Sequence, residues 1–349
     1  MSNPHELEEA KKAARHWSVL TGGEIERIPV GLLNRTFIVR TSQENYVLQH
    51  LNAIFAPRVH EDIAAMTTHL VSKGMLTPQL VASDEGRHFA MVGNSCWRLQ
   101  TYIDGQTYPF IASQQMAFEA GALVGRFHEA LSDFQHKYHF SRPQAHDTKH
   151  HLTLLMKALE THRQHPLYEE VEPIAKELLN YAGRLSNLWL LPARHSHGDL
   201  KISNVLFDRS MQALCLIDLD TLGYLPWPIE MGDAFRSWCN PAPEDATQIE
   251  FREDLFVGAL NGYKTHAGQL WSKGEREAIV PGIETIVLEL TSRFLRDALE
   301  ESYFAFDPAR FSSRGMHNLM RAKGQWQLFL DVQNKRENLC LAVKNTFGF

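Results

Sequence analysis

Apolar residues follow two different rhythms along the chain. In the first hundred residues they form short β-like runs, at Glu24–Val30, Arg35–Arg40 and Asn45–Leu48. Thr41-Ser42-Gln43-Glu44 is a polar turn cluster between the last two, which predicts a hairpin. Glu6–Leu20 reads as a helix. So does Pro57–Lys73, with a proline at an early position and Gly74 as a stop signal. Two more β-like runs lie around Gln79–Ala82 and Cys96–Ile103. Together these predict a small lobe with an antiparallel sheet and one main helix.

After Gly105 the spacing becomes helical. Val124, Phe127, Leu131 and Phe134 share one face of a helix over Met116–Phe134. Leu152–Leu185 predicts two helices divided near Pro166, and Ile249–Thr265, Gly274–Tyr303 and Arg314–Asn334 are helical by the same criterion. A β-rich island, Ala193–Thr221, interrupts them. Ile103-Asp104-Gly105-Gln106 is short and hinge-like rather than a long linker. The expectation is an α+β chain of two lobes: residues 1–103, then a larger, mostly helical lobe over residues 104–349.

Length and composition narrow the class. A chain of 349 residues accommodates two domains and a sizeable core. Lys and Arg total 35 against 41 Asp and Glu, a net charge of -6, which argues against a nucleic-acid partner. No apolar run is long enough to cross a bilayer, and Met1–Leu20 lacks a signal-peptide core, so no membrane association is expected. Cys96, Cys215, Cys239 and Cys340 stand far apart without a CxxC pair. They read as reduced thiols, which predicts a cytoplasmic protein.

The chemistry concentrates between Arg194 and Asp220. His197, Asp199 and Asn204 stand in an HxDxxxxN spacing, and Leu216-Ile217-Asp218-Leu219-Asp220 follows shortly. Read locally, this is a loop, a short strand, a turn and a second strand. A hairpin of that size brings Asp199, Asn204 and Asp218 to one end. Two carboxylates and an amide about one point suit phosphoryl transfer, whose dense negative charge calls for Mg²⁺. Asp218 and the Asn204 amide are hard oxygen ligands of the kind Mg²⁺ takes. Asp199 is then available to accept the proton of an attacking hydroxyl, or to orient it.

These motifs, HGDLKISN followed by LIDLD, resemble the phosphotransferase superfamily of aminoglycoside and choline kinases, whose fold is bilobal and protein-kinase-like. Further segments are similar to its N-acetylhexosamine 1-kinase branch: Gly31–Phe37, Tyr46–Asn52, His146-Asp147-Thr148, Gly232–Arg236, Arg293–Asp297 and His317–Ala322. The resemblance implies an ATP- and Mg²⁺-dependent kinase with nucleotide between the lobes. It implies that Asp199 is the catalytic aspartate, that Asn204 and Asp218 are Mg²⁺ ligands, that His197 is structural, and that Asp233 braces the catalytic loop. Gly31 and Asn34 fall in its nucleotide loop. Gln49 stands where protein kinases carry a phosphate-binding lysine, so Lys201 and Arg35 become candidates for that charge. The backbone of Gln100, Tyr102 and Ile103 falls at the strand that meets adenine.

A small-molecule acceptor is implied, a sugar first. A hydroxyl-rich ligand needs carboxylates and fork-shaped donors on a rigid wall, and Asp147, Asp220, Arg293 and Arg321 are the candidates. The segment from His136 to His165 carries seven histidines; His146 and His150 have helical metal-ligand spacing but no HExxH or Cys companion, which disfavours a metal there. Tyr224, Trp227, Trp238 and Tyr303 are the aromatics available for a choline cage. The rivals are a kinase of an aminoglycoside, choline or homoserine, and an inactive nucleotide-binding protein.

Overall fold

The computed structural model describes residues 4–28, 34–142 and 144–349. Gly31 lies outside them. The chain divides into two compact units. The first comprises Met1–Gly105, Ala130–Arg142 and Cys215–Gly223; the second comprises Gln106–Glu129, Pro143–Leu214 and Tyr224–Phe349. The hinge-like stretch near residue 105 thus marks the first crossing, and the first unit also takes in two later excursions of the chain.

The first unit begins with helix α1 (Pro4–Ala14) and strands β1 (Glu24–Ile28), β2 (Arg35–Arg40) and β3 (Asn45–His50). Helix α2 (Val59–Ser72) and strands β4 (Leu80–Val81), β5 (Ala90–Val92) and β6 (Ser95–Thr101) follow. The sheet is antiparallel in the order β1-β2-β3-β6-β4, with β5 also paired to β6. Strand alternation gives it two unlike faces. Phe37, Leu48, Trp97 and Leu99 bury one face against Ala10 and Ala13 of α1 and against Trp17 and Leu20. On the other face Thr36 opposes Gln49, and Gln49 opposes Arg98.

The second unit holds α3 (Gln114–Ala130), α4 (Thr148–Thr161), α5 (Tyr168–Ala182) and strand β7 (Ala193–Ser196). After β8 (Val205–Phe207) the chain reverses at Asp208, whose Oδ1 accepts from the amides of Ser210 and Gln212, and returns as β9 (Ala213–Leu216). Strand β10 (Gly223–Pro226) and helices α6 (Trp227–Trp238), α7 (Glu253–Ala267), α8 (Lys273–Glu277), α9 (Ile279–Glu300), α10 (Arg314–Asn334) and α11 (Arg336–Phe347) complete it. Helix α9 packs against α4, α6 and α10. Two helix crossings are closed by glycines. A Cβ on Gly262 would stand 1.9 Å from the Phe118 carbonyl oxygen, and one on Gly282 would stand 1.9 Å from that of Pro228.

Several elements differ from the sequence expectation. The first helix ends at Ala14, and Ser18–Leu20 is a separate 3₁₀ turn. Gly274–Tyr303 is two helices, since Ser272 and Glu275 form a capping box for α8 and Pro281 suits only the first turn of a new helix. Helices α6 and α11 and strand β5 were not visible as periodic runs. Among the described residues no helix is long and apolar enough to cross a membrane.

Candidate active site

The HxDxxxxN segment is held in the second unit by helix α6. Glu230 of α6 is 1% exposed, and its Oε1 accepts from the backbone amides of His197 (2.5 Å) and Gly198 (3.2 Å). Its Oε2 meets His128 Nε2 at 3.1 Å, and His128 Nδ1 meets the Tyr263 hydroxyl at 2.7 Å. Burial pushes the Glu230 carboxyl up, but His128 outweighs it and the group sits below the usual range. Ser237 Oγ accepts from the Ile202 amide, and the Trp238 indole donates to the Leu200 carbonyl. Gly198 takes φ +81°, the left-handed conformation that glycine adopts without strain.

This frame brings Asp199 and Asn204 together. The Asn204 amide nitrogen donates to Asp199 O (2.8 Å) and Asp199 Oδ2 (3.1 Å), and Lys201 Nζ donates to Asp199 Oδ2 (2.6 Å). Burial opposes ionisation of Asp199. Lys201, His197 and Asn204 outweigh it, so its pKa falls below the ordinary aspartate value. The carboxylate is therefore charged and able to accept a proton at neutral pH. With its nitrogen engaged by Asp199, Asn204 keeps its amide oxygen as an acceptor that could hold a cation.

The first unit carries Asp218, in the Cys215–Gly223 segment. Asp218 has φ +64° and ψ +57°, an uncommon backbone state for a non-glycine residue. Two residues on, Asp220 is clamped. Arg98 binds it through both terminal nitrogens, Nη2 to Oδ2 at 3.0 Å, and Asn34 Nδ2 donates to Oδ2 at 2.6 Å. Arg98 and Asp220 are each 1% exposed. Gln49 Oε1 accepts from Arg98 Nε (2.9 Å), and its amide donates to Thr36 Oγ1 (3.0 Å). The Asn34 carbonyl accepts from the Asn52 amide. Burial raises the Asp220 pKa, but Arg98 and then Asn34 bring it below the ordinary value. Arg98 is thus a buried cation of this sheet face, standing opposite Gln49 on the neighbouring strand. Arg35 pairs with Glu9 (2.8 Å) and Lys201 with Asp199.

Gln100 is buried and paired in the β3–β6–β4 ladder; Tyr102 and Ile103 border an open depression with Glu44, Thr77, Gln79 and Asp104.

Further charged groups of the second unit act on one another in pairs. Arg236 binds Asp233 Oδ1 (2.9 Å), and against the opposing effect of burial Asp233, Glu244 and, more weakly, Asp199 raise its pKa. Asp233 and Arg293 both act electrostatically on His146. Burial disfavours the charged His146 ring, but Glu289, 3.6 Å away, raises its pKa overall. Glu289 also accepts from Thr148 Oγ1 at 2.7 Å. Asp147 caps α4 by accepting from the His150 amide. The Arg293 guanidinium lies 5.4 Å from the Phe304 ring and Arg321 lies 5.7 Å from Phe294, whose ring is 4.5 Å from Phe304. Asp297 ties down this cluster, accepting from the amides of Ser302, Tyr303 and Phe304 and from Asn318. Trp227 and Trp238 are core residues at 3% and 0% exposure.

The sequence reading missed Glu230, Arg98 and Asp297. Glu230, three residues before Asp233, holds the backbone at His197 and Gly198; Asp233, expected to brace that loop, pairs with Arg236.

A model of the phosphotransferase enzyme family matches residues 24–268. The chain belongs to that family. This phosphotransferase is similar in fold to several solved kinases. An aminoglycoside phosphotransferase from Alicyclobacillus acidocaldarius shares 14% identity, with TM-score 0.62 over 94% of this chain and 96% of that one. A microcompartment-associated aminopropanol kinase shares 14%, with TM-score 0.64 over 97% and 99%. An amicoumacin kinase in complex with AMP-PNP, Ca²⁺ and Ami shares 13%, with TM-score 0.60 over 94% of each chain.

Proposed function

We propose that this phosphotransferase moves the γ-phosphoryl group of ATP to a small neutral polyol, most specifically the anomeric hydroxyl of a hexose or N-acetylhexosamine. The observation that carries this reading is the Asp199 carboxylate, ionised yet held by Lys201 and Asn204 at the end of a loop fixed by Glu230. Asp199 accepts the acceptor's proton as its oxygen attacks the phosphorus in line. The Asn204 amide oxygen and the Asp218 carboxylate are each hard donors of the kind Mg²⁺ takes. When bound, that ion neutralises charge developing on the phosphate oxygens. Gly31, Asn34 and Gln49 belong to the phosphate side of the nucleotide site, and the backbone of Gln100, Tyr102 and Ile103 to its adenine side. Asp220, with Arg98 and Asn34 on its oxygens, acts through Asp218 rather than on the sugar.

Arg293, Arg321 and the segment at Asp147 are the acceptor candidates. The aromatic faces of Phe294, Tyr303 and Phe304 already carry guanidinium groups. That arrangement favours a hydroxyl-rich neutral acceptor over choline or a polycationic aminoglycoside.

A panel of hexoses, N-acetylhexosamines, aminoglycosides, choline and homoserine, read by ATP consumption and phosphorus NMR, tests the assignment. A sugar 1-phosphate is expected, and turnover confined to the amines would overturn the acceptor. Asp199→Asn should lower turnover about 10²–10⁴-fold while ATP still binds; full activity in that variant would remove the mechanism.

A further inference from the structure

We propose a second, separate metal site, of the kind that takes Zn²⁺, formed by Asp62, His136 and His139. All three belong to the first unit, Asp62 on α2 and the two histidines on the Ala130–Arg142 excursion. Their ligand atoms lie within 4.8 Å of one another, and Asp62 is 1% exposed. Nothing in the phosphoryl-transfer reading uses them.

The carboxylate geometry is the argument. Three nitrogens converge on Asp62 Oδ1: His136 Nε2 at 2.7 Å, the His139 amide at 2.9 Å and His139 Nδ1 at 3.1 Å. A carboxylate oxygen has two lone pairs, one fewer than the nitrogens around it, and either ring nitrogen can present a lone pair in place of a proton. The His139 amide on Oδ1 and the Phe140 amide on Oδ2 (2.9 Å) hold the carboxylate in place. One lone pair of Oδ1 then remains for two imidazole nitrogens aimed at the same spot. A cation resolves the conflict by taking a lone pair from each ring and one from Oδ1.

Two imidazoles and one carboxylate form a Zn²⁺-type donor set. Zn–N and Zn–O bonds of about 2.1 Å set tetrahedral ligands roughly 3.3 Å apart, so the rings need to withdraw only by some tenths of an ångström. The surroundings already orient them. His139 Nε2 lies 3.5 Å from Glu61 Oε2, the carboxylate partner that metal-bound histidines commonly have on their other nitrogen. The His136 ring stacks on Phe134 at 5.5 Å and 16°. His139, 44% exposed, leaves the fourth position open to water. The ion would fasten the excursion to α2.

The test uses full-length, chelator-treated, nucleotide-free protein titrated with ZnCl₂ by calorimetry and with CoCl₂ by visible absorption. One equivalent should bind, with affinity falling at least tenfold in His136→Gln and in His139→Ala and unchanged in Asp218→Asn. The exposure of His139 makes its truncation compatible with folding, which circular dichroism checks. Absence of stoichiometric binding, or equal binding by wild type and both histidine variants, overturns the site. Because the readout is metal binding alone, it is independent of which acceptor is phosphorylated.

Discussion

Asp199 and Lys201 share a short hydrogen bond, so the charge of one sets the proton affinity of the other. In the proposed mechanism the base is the Asp199 carboxylate, present above the Asp199 pKa and lost as pH falls through it. Lys201→Met removes the leading charge that lowers that pKa. The acidic limb of the kcat/KM profile should therefore move to higher pH, as pH–rate measurements would reveal; an unmoved limb would sever Lys201 from the base. Asp199, Asn204 and Asp218 stood out as candidates in the sequence because the proposed chemistry calls for those side chains at short spacing. Glu230 and Arg98 did not. Glu230 reaches the loop from a helix 31 residues beyond Asp199, and Arg98 meets a carboxylate 122 residues away. A lone arginine in a strand reads as surface until the fold supplies its partner.

Buried ion pairs act on elements as well as on atoms. Arg98 joins β6 to the Asp218–Asp220 turn, and removing one partner of such a pair typically costs about 3–5 kcal/mol. Arg98→Met should lose that much in urea unfolding and also raise the divalent-ion concentration needed for turnover. Arg98→Met combined with Asp220→Leu should recover part of the stability and none of the ion affinity, since the turn stays unclamped. At the helix crossings the constraint is steric. Gly262→Ala and Gly282→Ala each drive a methyl into a backbone carbonyl and should cost at least about 1–3 kcal/mol, visible as a lower unfolding midpoint. The strands and long helices were legible because burial on one face imposes a period. Helix α6 was not, because it is buried almost throughout and its polar stripe, Glu230, Asp233 and Arg236, is engaged inside the protein rather than facing solvent.

Acid should unfold the protein through groups spread across it. His60 is 1% exposed, its Nδ1 sits 2.7 Å from the Pro57 carbonyl, and burial followed by the charge of Arg98 lowers its pKa to about 4. Its unfolded value is near 6.5, so the unfolded chain binds the proton first. The stability this brings is complete above about pH 6.5 and is lost as pH falls towards 4, by roughly 3 kcal/mol. Asp220, Glu230 and Glu289 have lowered pKa values and lose their contribution in the same direction at lower pH. Urea midpoints measured from pH 7 to 4 should fall, and His60→Phe should flatten the upper part of that slope.

The two excursions of the first unit also bear on how the chain is made. Its sheet is complete by residue 101, yet the carboxylate that neutralises Arg98 is residue 220. While the ribosome is still adding the intervening hundred residues, the nascent unit holds a guanidinium with no counterion of its own. Its closure waits for Gly223 to clear the exit tunnel, so a protein cut at Gly105 would be a half-made unit, prone to sticking to its neighbours.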